Sequence, residues 1–365
     1  MRILTILHDL SAGGSERVAL RLAAEWRRLG QESELLLVAS DGKAAIPPEV
    51  PVRRLPRDVP RSLTSRFRVA GALRVAVEAA APDIVFLPGN WHFALARGIA
   101  RARPRPVIVA KLSNPPIPSL FPGAGPFAVG ALRALLRPVD ALAFWPGSLA
   151  PELARLLPGL RLEPVPNPPI SLVPSPRQPR PEDRRRHVLV AGRLVPQKNV
   201  ALAIEAFALA AGRRDLHLTI AGDGPERPAL EGLAARLEPG GRVRFLGHVA
   251  DLGPALAAAD LLLLTSRYEG TPSVVFEALA VGVPVVATAC APILPHLLDR
   301  PGRGRIVRHG SASALAEAIL AQLAEPDPVG DVGDLLAPHA PAAIAARYAG
   351  IFTDLVSGPA RRAAE

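Results

Sequence analysis

Two glutamates, Glu269 and Glu277, stand in the segment SRYEGTPSVVFEA (Ser266–Ala278) with seven residues between them. Thr271 and Pro272 suit an N-cap and the first position of a helix. That placement leaves Glu269 on the loop at a strand end and puts Glu277 roughly a turn and a half into the helix. Both carboxylates can then accept hydrogen bonds from sugar or ribose hydroxyls. The N–H groups of Ser273, Val274 and Val275 are left for the oxygens of an anion. A surface glutamate followed by a helix glutamate is the plainer alternative. Against it, Glu277 lies between Val275–Phe276 and Ala278–Leu279–Ala280, where an acid is costly to bury without a partner.

A second segment, AGRLVPQKN (Ala191–Asn199), places Arg193 and Lys198 on a short loop and Asn199 where it can cap a helix. Two cations beside a helix start make a clamp suited to a diphosphate; a pair of solvated charges is the competing account. Lys198 is one of only three lysines, with Lys43 and Lys111, among 43 basic residues. A third loop, AGGSER (Ala12–Arg17), has small residues that let a backbone approach an anionic ligand. A tight strand-to-helix turn explains that loop equally well. It is not G-x-G-x-x-G, and no G-x-x-x-x-G-K-[ST] occurs, so a dinucleotide fingerprint and an ATPase phosphate loop are unsupported.

The elements that must hold these groups can be traced from periodicity. Apolar runs predict strands at 2–7, 34–39, 84–87, 107–111 and 141–144, with helix-capable sequence between them. A helix is predicted over 15–29, with Val18, Leu22, Trp26 and Leu29 on one face and Gly30 as its stop. Residues 163–186 carry eight prolines and end in an arginine run, a linker composition. The pattern then restarts, with strands predicted at 187–191, 216–221, 242–246, 261–265 and 283–287. A helix is predicted over 200–211, with Val200, Ile204, Phe207 and Ala211 inward. Alternating strands and helices argue for parallel sheets covered on both faces. The expected layout is an N-terminal domain over 1–165, a linker over 166–186 and a second domain over 187–340. A helix crossing back and a tail follow over 341–365, and the cleft between the domains is the default site.

Composition narrows the function. The 365 residues are 49% hydrophobic and 21% charged, enough for two cores, and global disorder is excluded. One cysteine, Cys290, excludes a disulfide scaffold or a Cys-rich zinc module and points to an intracellular setting. The net charge of +10 rests on 40 arginines scattered in an Ala- and Pro-rich chain, which matches GC-rich codon usage. Aromatic residues make up 4%, too few for base-stacking platforms, so nucleic acid is not an expected partner. Attraction to an anionic membrane surface is compatible with the charge. The uncharged stretch 278–298 contains Gly282, Pro284, Pro292 and Pro295, and is expected to be core rather than a membrane span.

In order along the chain, GRLVPQKN, AGDGPER, FLGHVAD and SRYEGTPSVVFEALAVGVPVVAT resemble the donor-binding half of family-4 glycosyltransferases of the GT-B fold. MRILTILHDLSAGGSERVALRLAAEWRRLG resembles the N-terminus of that family, and VPNPP its strand into the linker. The resemblance implies two Rossmann-like α/β domains facing each other across a cleft. It also implies retaining transfer of a sugar from a nucleotide diphosphate donor to a glycan or lipid-linked acceptor, without a metal or other cofactor. By position, Arg193 and Lys198 match the pair that neutralises the leaving diphosphate, Glu269 the carboxylate at the donor sugar and Glu277 the one at the ribose. Gly13 and Gly14 match the loop closing over the phosphates. Gly192, Gly222, Gly224, Leu246, Gly247, Gly270, Thr271, Pro272, Ser273 and Val274 match the remaining donor contacts. His92, in PGNWHFALA, lies where the family often has a histidine near the donor sugar; Trp91 and Phe93 beside it make packing an equal alternative. A cytoplasmic protein, touching the inner membrane face at most peripherally, is expected. A nucleotide-sugar epimerase of the same architecture, or a catalytically silent binder of nucleotide sugars or polyanions, are the alternatives to be tested.

Overall fold

The structure is a computed structural model and describes residues 1–10, 14–42, 44–60, 62, 65–114, 127–168, 185–238, 240–249, 251–308, 310–325 and 327–358. Its contacts divide the chain into two units, Met1–Pro168 with Pro338–Glu365, and Pro169–Ala337.

The first unit is built on seven parallel strands: β1 (Arg2–Leu7), β2 (Glu32–Leu37), β3 (Val52–Arg54), β4 (Ile84–Leu87), β5 (Val107–Lys111), β6 (Ala141–Phe144) and β7 (Arg161–Pro164). They lie in the order β3-β2-β1-β4-β5-β6-β7. The central strands are apolar throughout because helices cover both faces. On one face Leu4, Val85, Ile108 and Leu142 pack with Phe93, Leu132 and Leu153. On the other, Ile3, Phe86, Val109 and Ala143 meet the first helix, Gly14–Arg28, and the returning helix, Pro341–Ser357. Trp26 joins the two helices: its ring is 5.3 Å from Phe86, 5.9 Å from Tyr348 and 5.3 Å from Phe352. Its indole Nε1 also donates to the Ala345 carbonyl at 3.1 Å. The ring contacts with Tyr348 and Phe352 and the indole hydrogen bond fasten the last helix to the first.

The second unit has six parallel strands: β8 (Arg186–Ala191), β9 (Leu216–Ala221), β10 (Val243–Gly247), β11 (Leu261–Leu264), β12 (Val285–Thr288) and β13 (Gly304–Val307). Their order is β10-β9-β8-β11-β12-β13. The helix Val200–Ala211 buries Val200, Ile204, Phe207 and Ala211 against this sheet, as its periodicity predicts. Residues 278–298 form a helix end, β12 and a short helix at Leu294–Leu297. Among the described residues no helix is long and apolar enough to cross a membrane.

Several local expectations are corrected. Strands β3, β7 and β13 were not foreseen: they lie at sheet edges, are half-exposed and include Arg53, Arg54, Glu163 and Arg305, so no apolar run marks them. Leu29 lies past its helix and is exposed. Asn199 takes left-handed backbone angles and makes no side-chain cap. Pro272, not Thr271, precedes the helix Ser273–Ala280, and Thr271 Oγ1 is buried without a partner.

β5 ends on Lys111, which is 2% exposed; burial pushes its ammonium down to about 7. The unfolded chain therefore binds more protons than the folded one between about pH 7 and the ordinary lysine range. The residue opposes folding fully below pH 7, and that penalty fades as the pH rises. Lys111→Met is expected to stabilise the first unit by on the order of 3 kcal/mol at pH 6, with the gain vanishing toward pH 10.5. Urea denaturation in buffers free of phosphate and carboxylate checks both the sign and the slope.

Candidate functional site

In a parallel sheet every loop that leaves a strand's C-terminal end emerges at the same edge. In the second unit this edge gathers the loops after β8, β9, β11 and β12. The loop after β8 lies directly on the loop after β9. Gly192 N–H donates to the Ala221 carbonyl at 3.0 Å, and Leu194 N–H to that of Asp223 at 2.9 Å. Gly222 and Gly224 are required by this approach. A Cβ on the first would stand 1.8 Å from the Gly192 carbonyl oxygen, and on the second 2.4 Å from that of Leu194. Both also have φ of +159°.

The loop after β8 turns Arg193 outward, where it is exposed and has no carboxylate partner among the described residues. Lys198, at the end of the loop, reaches across to β11. Its ammonium is bonded to Glu269 Oε1, and Ser266 Oγ donates to the same oxygen at 2.7 Å. Glu269 Oε2 has no hydrogen bond among the described residues. Three further bonds tie the two loops together. Thr265 Oγ1 donates to the Lys198 and Asn199 carbonyls at 3.2 and 3.0 Å, and Gln197 Nε2 to that of Tyr268 at 2.9 Å. Thr288 Oγ1 on β12 holds the Ser266 carbonyl at 2.7 Å. Glu269 N–H is taken by the Cys290 carbonyl at 2.7 Å. The thiol of Cys290 is pushed up to about 12 by burial first and by the charge of Glu269 second. It is a packed neighbour of the site with little thiolate character.

Gly270, Thr271, Pro272, Ser273 and Val274 lead into the helix that carries Glu277. Val275 N–H is already committed to the Pro272 carbonyl at 3.0 Å, which corrects the expectation that it is free for an anion. Glu277 is 6% exposed and sits between Phe276 and Ala278. Gly247 ends β10 with φ of +74°. Leu246 lines a cavity of about 380 Å³ together with His187, His217 and Arg244. Ser266, Gln197, Thr288 and Cys290 were not singled out from the sequence. Only the position of Ser266, three residues before Glu269, could have suggested a role.

The remaining candidates belong to the first unit. Gly13 lies outside the described residues. Gly14 opens the first helix, and a Cβ there would meet nothing within 4 Å, so the chain's own packing does not demand a glycine. His92 sits on the short helical turn Asn90–Leu95 after β4 and is buried. Its Nε2 accepts from the His8 N–H at 3.3 Å, so that nitrogen carries no proton in this arrangement. His92 is thus bound into the buried polar ends of β1 and β4. Asn90, on the same turn, bonds the segment after β5: its Oδ1 accepts from Ser113 N–H at 3.0 Å, and its Nδ2 donates to the Asn114 carbonyl at 2.8 Å.

Comparison with known proteins gives two family matches. Residues 13–168 match the model described as glycosyl transferase 4-like domain, and residues 175–331 match glycosyl transferases group 1. Among curated relatives, the lipopolysaccharide core biosynthesis glycosyltransferase LpsE of Rhizobium meliloti is 39% identical over 133 residues, 36% of this chain and 38% of LpsE. The chain thus aligns with little more than a third of that relative's length. Among solved structures, sucrose-phosphate synthase of Thermosynechococcus elongatus superimposes with a TM-score of 0.81 at 19% identity, covering 97% of this chain and 99% of that one. HepE of Anabaena, solved with UDP and glucose, gives 0.76 at 20% identity over the same shares. Both likenesses show a common fold, the GT-B arrangement of two parallel-sheet α/β domains.

The lysine–glutamate pair makes a stability prediction. Lys198→Ala strands the carboxylate of Glu269 in a buried position. It should cost about 2 kcal/mol, less than the ~3–5 kcal/mol of a fully buried pair because the lysine is partly solvated. Glu269→Gln in the same chain should recover part of that loss, and chemical denaturation of the two single variants and the double variant measures the coupling.

Proposed function

Since the chain belongs to the family-4 type glycosyltransferases, we propose that it moves a sugar from a nucleotide diphosphate donor to a hydroxyl of a glycan or lipid-linked acceptor. Transfer proceeds with retention at the anomeric carbon and without a metal. The observation that carries this reading is the Lys198–Glu269–Ser266 cluster, held by bonds from three strands beside an exposed, uncompensated Arg193.

In this reading the diphosphate lies against Arg193, Lys198 and the open N–H groups of Ser273 and Val274. Negative charge grows on the leaving oxygen as the sugar–phosphate bond breaks. Cations fixed in advance stabilise that charge with little reorganisation. Glu269 accepts from the donor sugar's hydroxyls through Oε2, and Glu277 from those of the ribose. The acceptor oxygen bonds to the anomeric carbon on the face the diphosphate leaves. Its proton passes to a phosphate oxygen of the departing group, so no side chain has to serve as nucleophile. His92 then acts as a positioning residue, because its Nε2 is engaged by the His8 N–H. HepE was solved with UDP and glucose, and LpsE is named for lipopolysaccharide core synthesis. The first supports a nucleoside diphosphate sugar as donor, and the second a cell-envelope polysaccharide product. The cytoplasm, with peripheral contact at the inner membrane face, is the setting this reading implies.

Thermal melting with a panel of nucleoside diphosphates and their sugar conjugates tests the donor site. A ligand at ~100 times its dissociation constant should stabilise the protein by ~2.7 kcal/mol. The shift should persist in EDTA and disappear in Arg193→Ala and in Glu277→Gln. With the donor identified, transfer to an acceptor should give a product of unchanged anomeric configuration by NMR. Absence of any nucleotide response overturns the reading, and epimerised donor without transfer replaces it with an epimerase.

A further inference from the structure

One face of the second sheet is thinly covered where β8, β9 and β10 lie side by side. Val188, Leu218 and Val243 pack into the core beneath the helix Val200–Ala211. Side chains alternate along a strand, so His187 and Leu189, His217 and Thr219, and Arg244 and Leu246 share the opposite face. The ladders set them in rows, with His187 opposite His217, Leu189 opposite Thr219, and Thr219 opposite Arg244. Over them lies the short helix Gly253–Ala258, which brings only the methyl groups of Ala255 and Ala258, followed by Ala259. Side chains that small do not fill the space. A cavity of about 380 Å³ remains, within the size range of small-molecule sites.

The cavity walls carry two arginines and two histidines and, among the described residues, no acid. The imidazoles of His187 and His217 stack with ring centres 5.7 Å apart and planes 22° from parallel. His217 Nε2 accepts from Arg185 Nη1 at 3.3 Å, so that nitrogen carries no proton and is not open to a metal. The neighbouring cations are matched: Arg185 with Asp215 at 2.9 Å, Arg186 with Asp260 at 3.5 Å and Arg242 with Glu238 at 2.6 Å. Arg244 is not. It is exposed, without a carboxylate or other hydrogen-bond partner among the described residues, and the hydroxyl of Thr219 beside it is equally unbonded. A lone surface arginine needs no explanation, but this one and its free hydroxyl border an apolar hollow that includes the exposed Leu246. We propose that the cavity binds a small organic anion, a carboxylate or phosphate monoester carrying a ring-sized apolar body. The Arg244 guanidinium and the Thr219 hydroxyl donate to the anion, and the body lies against Leu189, Leu246 and the alanine methyls. The site goes beyond the transfer reaction and does not depend on it. Its walls run along the sheet face, away from Arg193, Lys198 and Glu269, and only Leu246 is shared with the expected donor contacts.

Phenyl phosphate and benzoate are the probes, with benzamide as a neutral control of the same shape. The eight histidines are labelled with ¹³C at Cε1, and His187→Gln and His217→Gln assign the two signals of the stack. At least one anion is expected to shift both signals saturably, and the one that binds more tightly names the acid group. Benzamide should bind about tenfold more weakly or worse, because it cannot pair with the guanidinium. Arg244→Met keeps the aliphatic stem without the charge and should weaken the anion by a similar factor. Ala258→Leu fills the hollow and should abolish binding. Both positions are exposed, so folding is not at stake. Silence of both signals toward both anions overturns the proposal. So does a response that benzamide matches, or one that survives Arg244→Met and Ala258→Leu. Arg193→Ala separates the two ideas, since it should leave the histidine response intact. A response lost in Arg193→Ala but kept in Arg244→Met places the probes at the donor site, and this proposal falls while the donor reading stands. An intact response in a protein whose melting ignores every nucleotide leaves this site standing and the donor reading fallen.

Discussion

The second unit depends on two backbones brought closer than any side chain would permit. The carbonyl oxygens of Gly192 and Leu194 occupy the space where residues 222 and 224 would carry a Cβ. Glycine at both positions lets the loops after β8 and β9 stack and exchange hydrogen bonds. That contact fixes where the β8 loop runs, and hence where it presents Arg193 and starts Lys198 on its way to Glu269. From Lys198 the constraint passes on through Thr265 to β11 and through Thr288 to β12. The cation and the carboxylate thus belong to a frame spanning four neighbouring strands. A substitution at Gly222 would move the charges even though it touches none of them.

Much of this frame was legible in the sequence, for physical reasons that can be named. The central strands are buried on both faces and so write themselves as apolar runs, as in Ile84–Leu87 and Leu261–Leu264. The helix Val200–Ala211 repeats its apolar residues at the helical period. The edge strands were invisible because one side of each needs no covering; Val52–Arg54 reads as surface. Caps were misjudged for a related reason. Asn199 and Thr271 have the right chemistry, but a left-handed turn and an extended proline took over the geometry at those helix starts. Among site residues, the motif segments contained Lys198 and Glu269, while the bond between them crosses 71 positions and could not be read from spacing. Ser266 and Thr288 act through that fold-made proximity, so neither carries a signal of its own.

Two of the three lysines lie at or beyond the C-terminal ends of parallel strands, and their settings differ. Lys198 is partly solvated and bonded to a carboxylate, which fixes the direction of its ammonium. In the proposed transfer a cation held in place this way stabilises a developing diphosphate, because little solvent or side chain must reorganise when the charge appears. Glu269 gives the same oxygen to the lysine and to Ser266. Lys111 has the opposite arrangement: it is buried at the end of β5 with no carboxylate partner among the described residues, and burial pushes its ammonium down. A buried cation with no counter-charge is a structural liability: the free energy of charging it is drawn from folding, whereas the ammonium of Lys198 has Glu269 and solvent beside it.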